Sequence, residues 1–185
     1  MSIKIAIVNS SSFGEIFPEH IDRLRALGQV DRFDVPKDMG GKELAEKLNG
    51  YAMIIASVTA IYNREFFKYK DKTQLITRHG IGYNNIDVSA ATEKGTYITK
   101  VEDLVEREAV AENAISLLMS VIRQVGQASK IVKEGLWAER AKFIGIEVKA
   151  KTAAIIGYGN IGSRVGEILK NGFNVKLVAY DPNLG

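Results

Sequence analysis

Over the first hundred positions, short apolar runs alternate with amphipathic stretches. The runs "IKIAIVN" at 3–9, "VDRFDV" at 30–35 and "AMIIAS" at 52–57 place apolar residues on both faces of an extended chain. Strands of a parallel sheet covered by helices carry that pattern. Between them, residues 19–28 and "GGKELAEKLNG" at 40–50 read as helices, giving β-α-β-α-β. Two more strands follow, "TQLITRHG" at 73–80 and "TYITK" at 96–100, with "NIDVSAATEKG" between them as a helix closed by Gly95. No proline- or serine-rich linker and no internal repeat interrupts this region. Residues 1–100 are therefore expected to form one doubly wound α/β unit.

The pattern changes at "VEDLVEREAVAENAISLLMSVIRQV", residues 101–125. Glu102, Asp103, Glu106 and Glu108 crowd its front, where a helix N-terminus favours negative charge. Apolar residues then recur at 110, 114, 117, 118, 121 and 125, which predicts one long helix. Its apolar face is wide, suiting either a core helix or one that meets a second lobe or subunit. After "KIVKEGLWAERAKFIGIEVKAK" comes a strand "TAAIIG", a loop "YGNIG", a helix "SRVGEILKN" and a strand "VKLVAYD".

Composition narrows the classes this pattern leaves open. In 185 residues, 46% are hydrophobic and 25% charged, which is globular rather than disordered. Lysine and arginine exceed the acids by only 25 to 22, spread along the chain, so neither a nucleic-acid partner nor a membrane surface is expected. The absence of cysteine excludes disulfides, thiolate metal sites and cysteine nucleophiles, and fits a cytoplasmic setting. Neither the first residues nor the apolar stretch at 114–122 has the form of a secretory signal or a bilayer span.

Chemistry is concentrated in Gly157-Tyr158-Gly159-Asn160-Ile161-Gly162. A lone G-x-G-x-x-G is weak, but this one leaves a predicted strand, opens a predicted helix, and precedes Asp181 at the end of the next strand. Gly157 permits the turn, Gly159 lets phosphate oxygens approach the backbone, and Gly162 lets helix pack on strand. The N–H groups around Asn160 and Ile161 then face a pyrophosphate from the positive end of a helix. Asp181 is placed to accept from ribose hydroxyls and to repel a 2′-phosphate, favouring NAD over NADP.

A second glycine-rich turn, "RHGIGYNNID" at 78–87, has two readings. The amides of Ile81 and Gly82 hold a carboxylate or line the nicotinamide end of a cofactor, or the glycines serve only the turn. Of the two histidines, His20 falls early in the first helix, where a surface role is expected. His79 adjoins the turn, but no carboxylate at a motif-like spacing marks it for proton transfer.

With these motifs in place, "RHGIGYNNIDVSAATEKG", "VEREAVAENAISLLMSVIRQV", "GLW" and "IIGYGNIGSRVGEIL…VKLVAYDP" together resemble, in order and spacing, the D-isomer-specific 2-hydroxyacid dehydrogenases. Departures are Asn84, where an aspartate is usual, and Ala154, where a glycine commonly precedes "IIG". The resemblance implies a flavodoxin-like substrate lobe over 1–100 and the first β-α-β of a Rossmann-type NAD-binding lobe over 101–185, both incomplete. It implies a homodimeric, NAD-dependent oxidoreductase that interconverts a 2-keto acid and a D-2-hydroxy acid. Gly157, Gly159, Asn160, Ile161 and Gly162 would hold the pyrophosphate, Asp181 the ribose, and Ile81 and Gly82 the substrate carboxylate or the nicotinamide. The family's catalytic arginine, glutamate and histidine lie beyond the position of Asp181. No catalytic residue is therefore expected within these residues, which read as a truncated portion inactive alone. The alternative is a dinucleotide-sensing binding protein, of the corepressor kind, on the same fold.

Overall fold

The structure, a computed structural model, describes residues 2–183. The chain forms two compact units, Met1–Glu102 and Asp103–Gly185. In the first, the order is β1 (Ile3–Val8), α1 (Glu19–Arg25), β2 (Gly28–Phe33), α2 (Gly41–Lys47), β3 (Met53–Ala56), α3 (Arg64–Tyr69), β4 (Leu75–Arg78), α4 (Val88–Glu93) and β5 (Tyr97–Lys100). All strand pairs are parallel, in the order β2-β1-β3-β4-β5. That is the flavodoxin-like arrangement, with its switch of direction beside β1.

Consecutive apolar residues in β1 serve two cores, because successive side chains point to opposite faces. Ala6 and Val8 join the larger core with Leu44, Ile54, Tyr62, Phe66 and Ile76, beneath α2, α3 and α4. Ile7 turns the other way, to Ile55 and the α1 residue Ile21. Cutting a side chain such as Ile54 back to alanine costs about 2–5 kcal/mol. Helical cover of this second face does not extend to β5. Thr77 and Thr99 share a 2.6 Å hydrogen bond on the open side, and Tyr97 is 77% exposed, so not every strand is buried on both faces.

Between β3 and β4, where periodicity predicts no helix, α3 forms. It is too short for a repeating stripe and is started by Asn63, whose side chain accepts from the Phe66 N–H at 3.0 Å. Asp87 caps α4 in the same way, at 2.8 Å to Ala90, and Gly95 closes it at φ 64°.

The second unit contains α5 (Arg107–Ile122), α6 (Val125–Lys133), a 3₁₀ helix (Trp137–Lys142), β6 (Thr152–Ile156), α7 (Asn160–Phe173) and β7 (Lys176–Tyr180). The predicted long helix is shorter than its sequence pattern. It begins at Arg107, so Glu102 and Asp103 precede it, and left-handed Gln124 (φ 52°) separates it from Val125, which opens α6. Ala111 is buried within α5, whereas Val121 is 74% exposed, so this helix is not buried all round. Strands β6 and β7 pair in parallel. Ala153, Ile155 and Leu177 are half-buried, while Ile156 and Tyr180 on the opposite face are exposed. No helix among the described residues is long and apolar enough to cross a membrane.

Candidate functional site

In open parallel sheets, ligands bind beyond the carboxyl ends of the strands. In the first unit that edge carries the exits of β1, β3 and β4. Asn9, left-handed at φ 51°, donates to the Val35 carbonyl (3.1 Å) and to Thr59 Oγ1 (2.9 Å), and its Oδ1 accepts from the Val35 N–H (2.8 Å). Asn85 donates to the Ser57 and Ala60 carbonyls at 3.1 and 2.9 Å. These two amides fix the loop after β3 from both sides.

The glycine-rich turn leaves β4. His79 N–H donates to Ala56 (2.9 Å), Gly80 N–H to Arg78 (2.9 Å), and Val101 N–H to the Gly80 carbonyl (3.2 Å). Gly80 sits at φ 138°, which side-chain-bearing residues rarely adopt. Neither the Ile81 nor the Gly82 N–H has an acceptor among the described residues. Both are therefore available to an anionic ligand.

His79 is exposed, and Ser10 Oγ lies 2.7 Å from its Nδ1. Ser10 itself is buried, and its carbonyl accepts from Arg32 at 3.0 Å. Phe13 meets the His79 ring edge-on, with centroids 5.2 Å apart, and lies 6.2 Å from the His20 ring. His20 is on the surface, as expected, yet the fold brings both histidines to one phenylalanine. Ser10 has no sequence signal of its own, because it follows a strand with no motif attached.

In the second unit the three glycines of the 157–162 loop differ in what they require. Gly157 has φ 91°, and its N–H donates to Tyr180 at 2.8 Å, tying the loop to β7. A Cβ on Gly162 would sit 1.9 Å from the Gly157 carbonyl oxygen, so any larger residue would force the backbone to move. Gly159 has neither constraint: its φ is −74°, and a Cβ there would meet no atom of the chain within 4 Å. It is the N-cap of α7 and brings no side chain to cap it. The first N–H groups of a helix have no partner within it, and those of Asn160, Ile161 and Gly162, at the positive end of α7, have no acceptor among the described residues. The predicted loop-to-helix boundary moves accordingly, since the helix begins at Asn160 rather than at Ser163.

Asp181 stands where the sequence places it, at the exit of β7, and it also holds the loop. Its Oδ2 accepts from the Tyr158 N–H and its Oδ1 from the Asn183 N–H, both at 2.8 Å. Each carboxylate oxygen keeps a further lone pair. The 157–162 loop is braced from α5, which sequence reasoning missed. Arg107 Nε donates to the Asn160 carbonyl at 3.1 Å, and Arg164 pairs with Glu167 (2.8 Å) and Glu108 (2.7 Å). The hydrogen bonds to Glu167 first, then Glu108, raise the Arg164 pKa above its usual value. Glu108, predicted to complement a helix dipole, thus also serves as an ion-pair partner. No cluster of three or more His, Asp or Glu that could hold a metal ion occurs among the described residues.

These features coincide with a known family. Residues 6–174 match the model for the D-isomer specific 2-hydroxyacid dehydrogenase, catalytic domain. The chain is 33% identical over 165 residues to a D-3-phosphoglycerate dehydrogenase of Methanocaldococcus jannaschii, covering 89% of this chain and 31% of that protein. It is 28% identical to a glyoxylate reductase of Pyrococcus furiosus, covering 88% and 50% respectively. The apo structure of D-lactate dehydrogenase from Escherichia coli superposes with a TM-score of 0.76 at 26% identity, covering 99% of this chain and 56% of that one. The chain thus spans about a third to a half of the length of these relatives. On the extent of the family match, with its parallel α/β fold, the chain belongs to the D-isomer-specific 2-hydroxyacid dehydrogenase family of oxidoreductases.

Proposed function

We propose that the protein carrying this chain interconverts a 2-oxo acid and a D-2-hydroxy acid, with NAD as its hydride carrier. The observation that carries the reading is Gly159. Nothing among the described residues requires glycine there, and the open space at its Cβ position, at the start of α7, leaves room for a ligand to press on the backbone. The pyrophosphate fits this cradle, with the N–H groups of Asn160, Ile161 and Gly162 donating to its oxygens and Gly157 shaping the turn. Asp181 accepts from the adenosine ribose hydroxyls through its remaining lone pairs, and its charge disfavours a 2′-phosphate, so NAD is preferred to NADP. When bound, the nicotinamide supplies or accepts the hydride at the substrate's second carbon.

In this reading residues 1–100 form the substrate lobe and 101–185 part of the NAD-binding lobe. Ile81 and Gly82 donate their amides to the substrate carboxylate or border the nicotinamide. Within the described residues the chain's task is thus binding and orientation. The same reading takes the working assembly as a homodimer and the compartment as the cytoplasm, in keeping with a chain that has no cysteine.

The test is oxidation of NADH by the protein carrying this chain, followed by loss of reduced-nicotinamide absorbance. The panel includes pyruvate, glyoxylate, hydroxypyruvate and its 3-phosphate, with chiral resolution of every product except achiral glycolate. Turnover of at least one 2-oxo acid to the D-hydroxy acid is expected. No turnover across the panel, or an L product, refutes the proposal.

A further inference from the structure

Beneath the 80–82 turn lies a charge that the reading above leaves unused. Arg78, the last residue of β4, is only 6% exposed. Its Nη1 donates to the His79 carbonyl, and its Nε is buried without a hydrogen-bond partner. No ion pair of Arg78 occurs among the described residues. A guanidinium at this depth is costly to desolvate and ordinarily has an acidic partner. Among the described residues none is in contact with it.

The guanidinium lies against Gly80. A Cβ there would come within 2.8 Å of Nη1 and 2.9 Å of Nη2, so a side chain at position 80 would displace the arginine. The carbonyls on either side of that contact are both engaged, His79's by Arg78 and Gly80's by the Val101 N–H. Across a trans peptide the N–H points opposite to the carbonyl, and the chain has no cis bonds. The Ile81 N–H is therefore directed away from Val101, and the Ile81 and Gly82 amides are left unpaired on a turn whose buried side carries a positive charge.

We infer that Arg78 is a positioning residue that sets this turn for an anion. Its grip on the His79 carbonyl fixes the direction of the amides. Its uncompensated charge makes the turn select a carboxylate over a neutral group of the same shape. The inference rests on the proposed reading of Ile81 and Gly82 as substrate contacts, and goes beyond it by naming what gives them charge selectivity.

The experiment titrates the 15N-labelled protein carrying this chain with pyruvate and with its neutral isostere pyruvamide, following the Ile81 and Gly82 amide signals. Wild type is expected to shift saturably with pyruvate and to bind pyruvamide about tenfold more weakly or worse, as expected for a charge near an anion site. Arg78→Gln keeps a hydrogen-bond donor but loses the charge, and is expected to bind pyruvate about tenfold more weakly, with Arg78→Lys recovering most of the loss. A merely structural role would instead make both variants fail together, in proportion to their loss of thermal stability. Wild-type signals that ignore pyruvate overturn the reading of the turn and this inference with it. Wild-type binding that Arg78→Gln leaves unchanged, or that Arg78→Lys does not rescue, overturns the inference alone. Should Arg78→Gln fail to fold, a wild-type pyruvate-to-pyruvamide ratio near unity is sufficient to reject it.

Discussion

Replacing Gly159 and Gly162 separately with alanine distinguishes a glycine kept for a ligand from one kept for the fold. At 162 the added methyl would stand 1.9 Å from the Gly157 carbonyl oxygen, far inside contact distance, and backbone must move. Overpacking of this kind costs about 1–3 kcal/mol. In a unit of this size 2 kcal/mol corresponds to a fall in Tm of roughly 8–16 °C. At 159 the methyl meets nothing within 4 Å and φ is −74°, so no strain arises. Alanine restricts the unfolded chain, a gain of about 0.4–1 kcal/mol, and is a poorer N-cap than glycine, a loss of similar size. The two offset, so Tm is expected to stay within about 4 °C of wild type. NADH affinity behaves oppositely, because that methyl occupies the place assigned to a phosphate oxygen: Gly159→Ala is expected to bind at least about tenfold more weakly, or 1.4 kcal/mol. Differential scanning calorimetry and a nucleotide fluorescence titration read both quantities. A Gly159→Ala protein that binds NADH like wild type, or a Gly162→Ala protein that melts like it, would refute the reasoning.

Asp181→Ala removes the acceptor of two backbone N–H groups, so it is expected to destabilise by about 1–3 kcal/mol and to narrow any preference for NADH over NADPH. Thermal melts and paired titrations check this, and an unchanged melt would contradict the bracing role of the carboxylate. Ser10→Ala is expected to cost about 1 kcal/mol and to change the ring-nitrogen resonances of His79 in 15N spectra, with unaltered resonances counting against the 2.7 Å contact. Tyr51 is pushed up to about 12, first by burial and then by its hydrogen bond to Asp31, so its folded value lies above the unfolded 10.0. Its contribution to stability is whole below pH 10.0 and fades as pH rises towards 12. Ultraviolet titration of wild type against Tyr51→Phe should show the missing phenolate to be a late-ionising one, beside that of Tyr62, which burial also pushes up; loss of an ordinary phenolate contradicts this.

Those parts of the molecule governed by local rules were legible in the sequence. The apolar runs predicted β1 and β3 because each feeds two cores, and glycine spacing located the turn of Gly157 and the packing of Gly162. What escaped depends on tertiary contacts. A six-residue α3 cannot display a helical period, and its N-cap Asn63 looks like any loop asparagine. The break at Gln124 is made by a left-handed non-glycine residue, where its side chain reaches the Ile144 carbonyl at 2.9 Å. Ser10, Arg32 and Arg107 act on partners many residues away, so no spacing rule announces them. Arg78 reads as one more polar residue at a strand end until its burial and missing acid are seen.

The central claim, that the 157–162 loop with Asp181 is an NAD site, is tested most directly by titrating the wild-type protein with NADH and with NADPH and following reduced-nicotinamide fluorescence. Saturable binding of NADH, with NADPH at least about tenfold weaker because the Asp181 carboxylate faces the added phosphate, is the predicted result. No saturable binding of either dinucleotide, or tighter binding of NADPH, would contradict it.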